Sequence, residues 1–226
     1  PKTNNRSQPS TPEPDTPVTP KPVTKPLPKD PTFGAKRSTG SSAVALTFDD
    51  GPHPGWTPRL LDLLAQHRVK ATFCVIGVQV RAYPQLIARI VKEGHTLCNH
   101  SWKHDIKLGQ KAPAQIRTDL LRTNREIEKA VPGAKIAYYR QPGGAWTADI
   151  VAIAKELGMT PLGWSVDPAD WKKPGTSAIV NAVTQRTRPG SIVLLHDGGG
   201  DRAQTLAACR TVVPWLKQRF NLVALS

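Results

Sequence analysis

AVALTFDDGP, residues 43–52, opens as an apolar, β-rich run and closes on a pair of carboxylates in a turn. Ala43 to Phe48 reads as a short strand, and Asp49-Asp50-Gly51-Pro52 as the loop that leaves it. Thr57-Pro58 then supplies the N-cap and first turn of a helix carrying Leu60, Leu61, Leu63 and Leu64. The strand-loop-helix unit repeats outward from this stretch. Ala71–Ile76 is the next apolar run, followed by a helix to about Lys92 with Gly94 placed to end it. Further strands are expected over His95–Asn99, Ile136–Arg140, Thr160–Trp164, Ile192–Leu195 and Asn221–Leu225. The expected helices between them cover Pro113–Ala130, Thr147–Leu157, Ser177–Arg186 and Ala203–Arg219. About seven strands alternating with helices predict an α/β fold with a parallel sheet, since parallel neighbours need crossovers. Polar residues gather where the strands end, which favours a distorted (β/α) barrel over an open, doubly wound sheet.

Upstream the composition changes. Ten of the 22 prolines lie between Pro1 and Pro31, interleaved with Thr, Lys, Ser and Asn and with almost no large apolar residue. Such a stretch buries too little surface to offset its ordering entropy. Residues 1–41 are therefore expected to be a disordered, extended linker or stalk and residues 42–226 the catalytic domain, although an incidental disordered end has the same composition. No run of about 18 apolar residues is present, so no membrane span is expected. A Pro/Thr-rich stalk fits a secreted or cell-wall-associated protein. The net charge is +14; seven Lys or Arg and three Asp or Glu give residues 1–41 a share of +4, leaving +10 for the remainder. That field favours anionic partners such as acidic wall polymers, nucleic acid or membrane headgroups, and charge alone does not choose among them. Nucleic acid is not expected, because there is no zinc-finger spacing, aromatic RNP pattern or long basic helix. Cys74, Cys98 and Cys209 are odd in number and lack C-x-x-C spacing, which excludes a disulfide framework; Cys74 and Cys98 read as small buried strand residues.

Five short stretches carry chemistry, each ambiguous alone. Asp49 and Asp50 leave the first strand with side chains diverging, so that one can bind a metal while the other acts as a base; a plain Asp-Gly-Pro turn reads the same way. His100 and His104 have the H-x-x-x-H spacing that brings two imidazoles onto one ion if the segment makes a helical turn, yet two surface histidines would look alike. Arg140-Gln141-Pro142-Gly143-Gly144 puts a cation and a Gly-rich turn at the fourth strand's end, where free N–H groups suit an oxyanion. Asp167-Pro168-Ala169-Asp170-Trp171 and Leu194-Leu195-His196-Asp197 end the fifth and sixth strands.

In this order TFDDGP, HSWKH, RQPGG, DPADW and LLHD resemble the five motifs of the polysaccharide deacetylases, the family 4 carbohydrate esterases, which include chitin, peptidoglycan and acetylxylan deacetylases. The resemblance runs from Thr47 to Asp197 and implies a distorted barrel holding one divalent metal ion, zinc or cobalt, on Asp50, His100 and His104. It implies Asp49 as general base paired with Arg140, His196 as general acid oriented by Asp170, and the Gly143 N–H as oxyanion donor. Trp171 and Leu194 resemble the apolar wall of the acetyl pocket. One departure stands out: the third motif commonly reads R-P-P-Y-G, and Gln141 and Gly143 replace its first Pro and its Tyr. A backbone donor survives the change, whereas the wall a Tyr ring would build does not; Trp102 and Trp146 are alternative sources of aromatic surface, or core residues. The expected function is removal of acetyl groups from N-acetylglucosamine-type sugars of a wall polymer by a monomeric enzyme. An acetylxylan-type O-deacetylase and an inactive wall-binding module are the competing readings.

Overall fold

The structure, a computed structural model, describes Pro1 and residues 30–226. The expected linker falls largely outside the described residues.

Among the described residues six parallel strands form one curled sheet in the order β5-β4-β3-β2-β1-β6. They are β1 (Ala45–Asp49), β2 (Thr72–Val75), β3 (Thr96–Asn99), β4 (Ile136–Tyr139), β5 (Thr160–Pro161) and β6 (Ile192–His196). The helices α1 (Thr57–Gln66), α2 (Gly77–Ala82), α3 (Pro84–Lys92), α4 (Pro113–Ala130), α5 (Ala148–Glu156), α6 (Thr176–Arg186) and α7 (Ala203–Arg219) cover its outer face. Side chains alternate along each strand, so one set meets the helices and the other fills the barrel. Leu46 and Phe48 of β1 join Phe73, Val75, Val193 and Leu195 in the layer beneath the helices, where Phe48 and Phe73 stack at 5.5 Å. Ala45, Cys74, Cys98, Tyr138 and Ile192 face inward. All three cysteines are buried free thiols, as expected for Cys74 and Cys98, which are register partners on β2 and β3. No described helix is long and apolar enough to cross a membrane.

The structure is the expected distorted barrel, with four corrections. The seventh strand, Asn221–Leu225, is not part of the sheet. It makes one isolated bridge, Val44 with Leu222, and then passes beneath the barrel, where Leu225 N–H donates to Thr72 Oγ1, Leu225 O accepts from Thr96 Oγ1 and the buried Leu225 side chain joins the interior cluster. The segment is apolar because it forms a floor rather than a strand. The fifth strand is two residues long instead of five. Beyond Pro161 the chain swings across the barrel's opening, Leu162 bridging to Lys36 and Val166 to Val193. The helix expected to end near Lys92 is two helices, because Pro84 cannot continue a helix and pushes Tyr83 to φ −134°, ψ 56°. Finally, the fold begins before residue 42: Lys36 N–H donates to Pro161 O, Lys36 O accepts from Gly163 N–H, Thr39 N–H donates to Gly190 O, and Ala35 is buried. This leading segment patches the gap between β5 and β6.

Candidate active site

Inward-facing Thr47 and Asp49 meet Arg140 at the C-terminal mouth of the barrel. Arg140 is fully buried, so its charge needs partners. Its Nη1 donates to Asp49 Oδ1 (2.7 Å) and Thr47 Oγ1 (2.8 Å), its Nε to Leu162 O (3.1 Å) and its Nη2 to Gly163 O (3.0 Å). Burial acts against the guanidinium's charge, yet the Asp49 carboxylate holds its proton affinity above the ordinary arginine value. Asp49 Oδ2 lies outside this pair, 3.6 Å from His100 Nε2.

Asp50, at φ +73°, turns the other way. Its Oδ1 is 3.4 Å from His100 Nε2 and 3.3 Å from His104 Nε2, and one ligand atom of each residue lies within 4.8 Å of the others. These separations exceed an ordinary N–H···O bond, and Asp50 Oδ1 is buried without a hydrogen-bond partner. Two imidazole nitrogens and a carboxylate oxygen that converge without satisfying one another fit a divalent ion. The other ring nitrogen of His100, Nδ1, meets Arg140 O at 2.7 Å, which leaves Nε2 as the ligating atom. Burial raises the Asp50 carboxyl, but the His100 imidazole beside it outweighs that effect, so its pKa lies below the carboxylate range. His100 is raised by the aspartates against burial, whereas burial and His100 lower His104.

The histidines do not converge through a helical turn. Ser101 and His104 have φ of +67° and +59°, so the segment is an irregular loop, held by Asn99, whose Oδ1 accepts from Ser101 N–H (2.8 Å) and whose Nδ2 donates to Leu120 O (2.9 Å) and Asn124 Oδ1 (2.7 Å). Left-handed backbone at non-glycine residues is strained and persists where surrounding bonds enforce it.

His196 ends β6 as the register partner of Asp49. Its Nδ1 meets Asp170 Oδ1 at 2.7 Å, while Asp170 Oδ2 accepts from His196 N–H (3.0 Å) and Thr205 Oγ1 (2.8 Å). Burial lowers the imidazole pKa, but the Asp170 bond and charge leave it raised overall. Asp197 turns behind the aspartate loop: its N–H donates to Asp49 O, and Oδ2 accepts from Thr57 Oγ1 at 2.5 Å. Thr57 also accepts from His53 N–H, so its hydroxyl braces this loop and does not cap α1. Burial pushes the Asp197 carboxyl up to about 7, with Asp50 and Asp49 adding to the rise.

Residues 36–162 match the family described as polysaccharide deacetylase. The chain belongs to that family. It is 43% identical over 194 residues to a chitooligosaccharide deacetylase of Sinorhizobium fredii, covering 81% of this chain and 90% of the relative. It is 41% identical over 186 residues to a peptidoglycan-N-acetylglucosamine deacetylase of Bacillus cereus, covering 81% and 86%. Among solved structures, the Bc1960 peptidoglycan N-acetylglucosamine deacetylase superposes with a TM-score of 0.80 at 31% identity, covering 87% of this chain and 94% of the other. A family pseudoenzyme from Bacillus anthracis superposes at 0.75 with 31% identity; this chain spans 64% of that longer protein.

Of the two readings open for Trp102 and Trp146, aromatic wall or core, the core reading holds. Trp102 is buried with Arg122 3.7 Å and Arg81 5.1 Å from its ring, and Trp146 packs edge-on against Tyr139, so both serve packing first. Trp171 is half exposed beside Asp170, and Leu194 is buried on the inner face of β6 below His196. Gly143 has φ +62°, and a Cβ there would overlap Ile106 Cγ2. Ile106, itself half exposed, thus stands where a side chain at position 143 would emerge, two residues beyond His104. The bonds from Gly144 N–H to Gln141 O and from Ala145 N–H to Pro142 O close the turn without using the Gly143 N–H. The structure brings Asp49, Asp50, His100, His104, Arg140, Asp170 and His196 into one cluster, with Leu194 below His196 on β6, exposed Trp171 next to Asp170 and Gly143 in the turn that follows Arg140. Thr57, Asn99 and Thr205 were not expected at the site, and Asp197, though part of the LLHD stretch, had been given no role there. Asn99 and Asp197 adjoin motif histidines, which was a signal; an isolated Thr205 gave none.

Proposed function

We propose that this protein is a metal-dependent deacetylase of N-acetylglucosamine-type sugars in a wall polymer or its oligomers, acting outside the cell. The observation that carries the reading is the convergence of three groups at one barrel mouth: the Asp49–Arg140 pair, the Asp50–His100–His104 donor set and the His196–Asp170 pair. The names of the chitooligosaccharide and peptidoglycan relatives support the substrate class. A divalent ion on Asp50, His100 and His104, for which zinc and then cobalt are the best candidates, would supply Lewis acidity and a more acidic water.

The chain's own residues do the rest. Asp49 Oδ2, left free by Arg140, takes the proton of the attacking water. Gly143 N–H, which the bonds closing its turn leave unused, donates to the oxyanion that forms on the acetyl carbonyl. His196, protonated and anchored through Nδ1 by Asp170, hands its proton from Nε2 to the departing sugar amine. Leu194 and Trp171 border the space for the acetyl methyl. Acetate and a free amino sugar result. Acetate release from chitooligosaccharides, peptidoglycan and acetylxylan, each with zinc, cobalt and no metal, tests the proposal: metal-dependent release from the N-acetylated substrates supports it. Release from acetylxylan alone would make the chain an O-deacetylase, and polymer binding without turnover would align it with the pseudoenzyme.

A further inference from the structure

Beside the catalytic cluster lies a second cleft, of about 260 Å³, between the leading segment (Pro31, Thr32, Arg37), the turn Gly143-Gly144 and Trp164. It shares Gly143 with the proposed oxyanion position, so whatever occupies it adjoins the group being hydrolysed. Its size, near the lower end of the ~300–1,000 Å³ of small-molecule sites, suits one pyranose rather than several. Trp164 is partly exposed. Its ring is held by Arg140, whose guanidinium carbon is 5.6 Å from the ring centroid, and by the turn, since a Cβ at Gly144 would lie 2.8 Å from the indole.

Arg37 is the cleft's cation, and it is fixed at its inner end. Its Nε donates to Trp164 O at 2.9 Å, and its Cγ lies 3.0 Å from where a Cβ at Gly163 would stand. Among the described residues the outer guanidinium nitrogens make no ion pair. The neighbouring carboxylate, Asp30, already accepts from Thr32 N–H, Thr32 Oγ1 and Gly34 N–H. An anchored, exposed guanidinium is matched by a carboxylate, which it grips with two parallel bonds at little further loss of freedom. A polymer of N-acetylglucosamine alone offers it none.

We propose that this cleft binds the sugar next to the one being deacetylated and that Arg37 selects a sugar carrying a carboxylate. The inference rests on the deacetylase reading of the adjoining centre. Its test compares kcat/KM for chitotetraose with that for a tetrasaccharide alternating N-acetylglucosamine and N-acetylmuramic acid, in the wild type, Arg37→Met and Arg37→Lys. The expected wild-type preference for the acidic substrate is ~10-fold or more, carried by KM and eroded by salt, as one charge-assisted pair predicts. Arg37→Met should bring the ratio near one, and Arg37→Lys should keep part of it. A wild-type ratio near one, or a ratio untouched by Arg37→Met, overturns the proposal while leaving the deacetylase reading standing. If the wild type turns over neither substrate, that reading fails instead, and calorimetric binding of the two tetrasaccharides to the wild type and Arg37→Met decides the cleft on its own. Melting curves confirm that each variant is folded.

Discussion

Asp49 and Asp50 are adjacent in the chain, yet their oxygens serve different neighbours: Asp49 Oδ1 receives Arg140, and Asp50 Oδ1 faces two imidazoles. Replacing each should therefore have a distinct signature. Asp49→Asn removes the proton acceptor and should cost at least ~10²-fold in turnover with one ion still bound per chain, measured by metal analysis. Asp50→Ala should lose the ion as well; loss of metal in Asp49→Asn instead would reverse the two roles. His196 must be protonated to release the amine, and its pKa is held above the usual 6.5, so activity should persist below that raised pKa and fall as pH rises through it. Asp170→Asn removes the largest upward influence, and the alkaline limb of the pH profile should move to lower pH. An unmoved limb would mean that another group sets it. His196→Ala should damage amide cleavage more than cleavage of an activated aryl acetate, whose leaving group needs no proton.

At the scale of elements, the floor of the barrel is the clearest structural surprise. Leu225 is buried in the interior cluster beneath Cys74 and Cys98, and Leu225→Ala should destabilise the protein by ~2–5 kcal/mol, read as a lowered denaturant midpoint. A cost within error of zero would show that the segment merely rests against the barrel. Asn221–Leu225 looked like a strand because an apolar segment closing a barrel end and one entering its wall have the same composition. The six strands that do pair were legible from their alternation with helices, and the motif residues from their position at strand ends. The conformation of the loops was not legible, since the H-x-x-x-H spacing is compatible with a helical turn and only Asn99, Ser101 and their bonds reveal an irregular loop. Position 143 shows the same limit: Gly in place of Tyr announced a changed wall, but Ile106 as its occupant required the fold.

The whole molecule begins earlier than its composition suggests. Removing residues 2–29 should spare turnover of small substrates while weakening the salt-sensitive retention on anionic wall material expected of a basic tail. Removing residues 1–41 should do more. It strips out Ala35 and the backbone partners of Pro161, Gly163 and Gly190, each unmet buried group costing ~1–3 kcal/mol, and should lower the melting temperature of the domain. Equal melting temperatures for the two truncations would place the fold's beginning after residue 41. The leading segment also has a reach that its position conceals. Lys36 O accepts from Gly163 N–H, Gly163 O accepts from Arg140, and Arg140 donates to Asp49, so three consecutive hydrogen bonds run from the patch over the barrel's gap to the residue assigned as base. Local opening of the exposed leading segment would therefore reach the base ahead of global unfolding. On warming, turnover should thus collapse several degrees before the far-ultraviolet helix signal does. The protein would then have two transition temperatures, one for its chemistry and one for its shape.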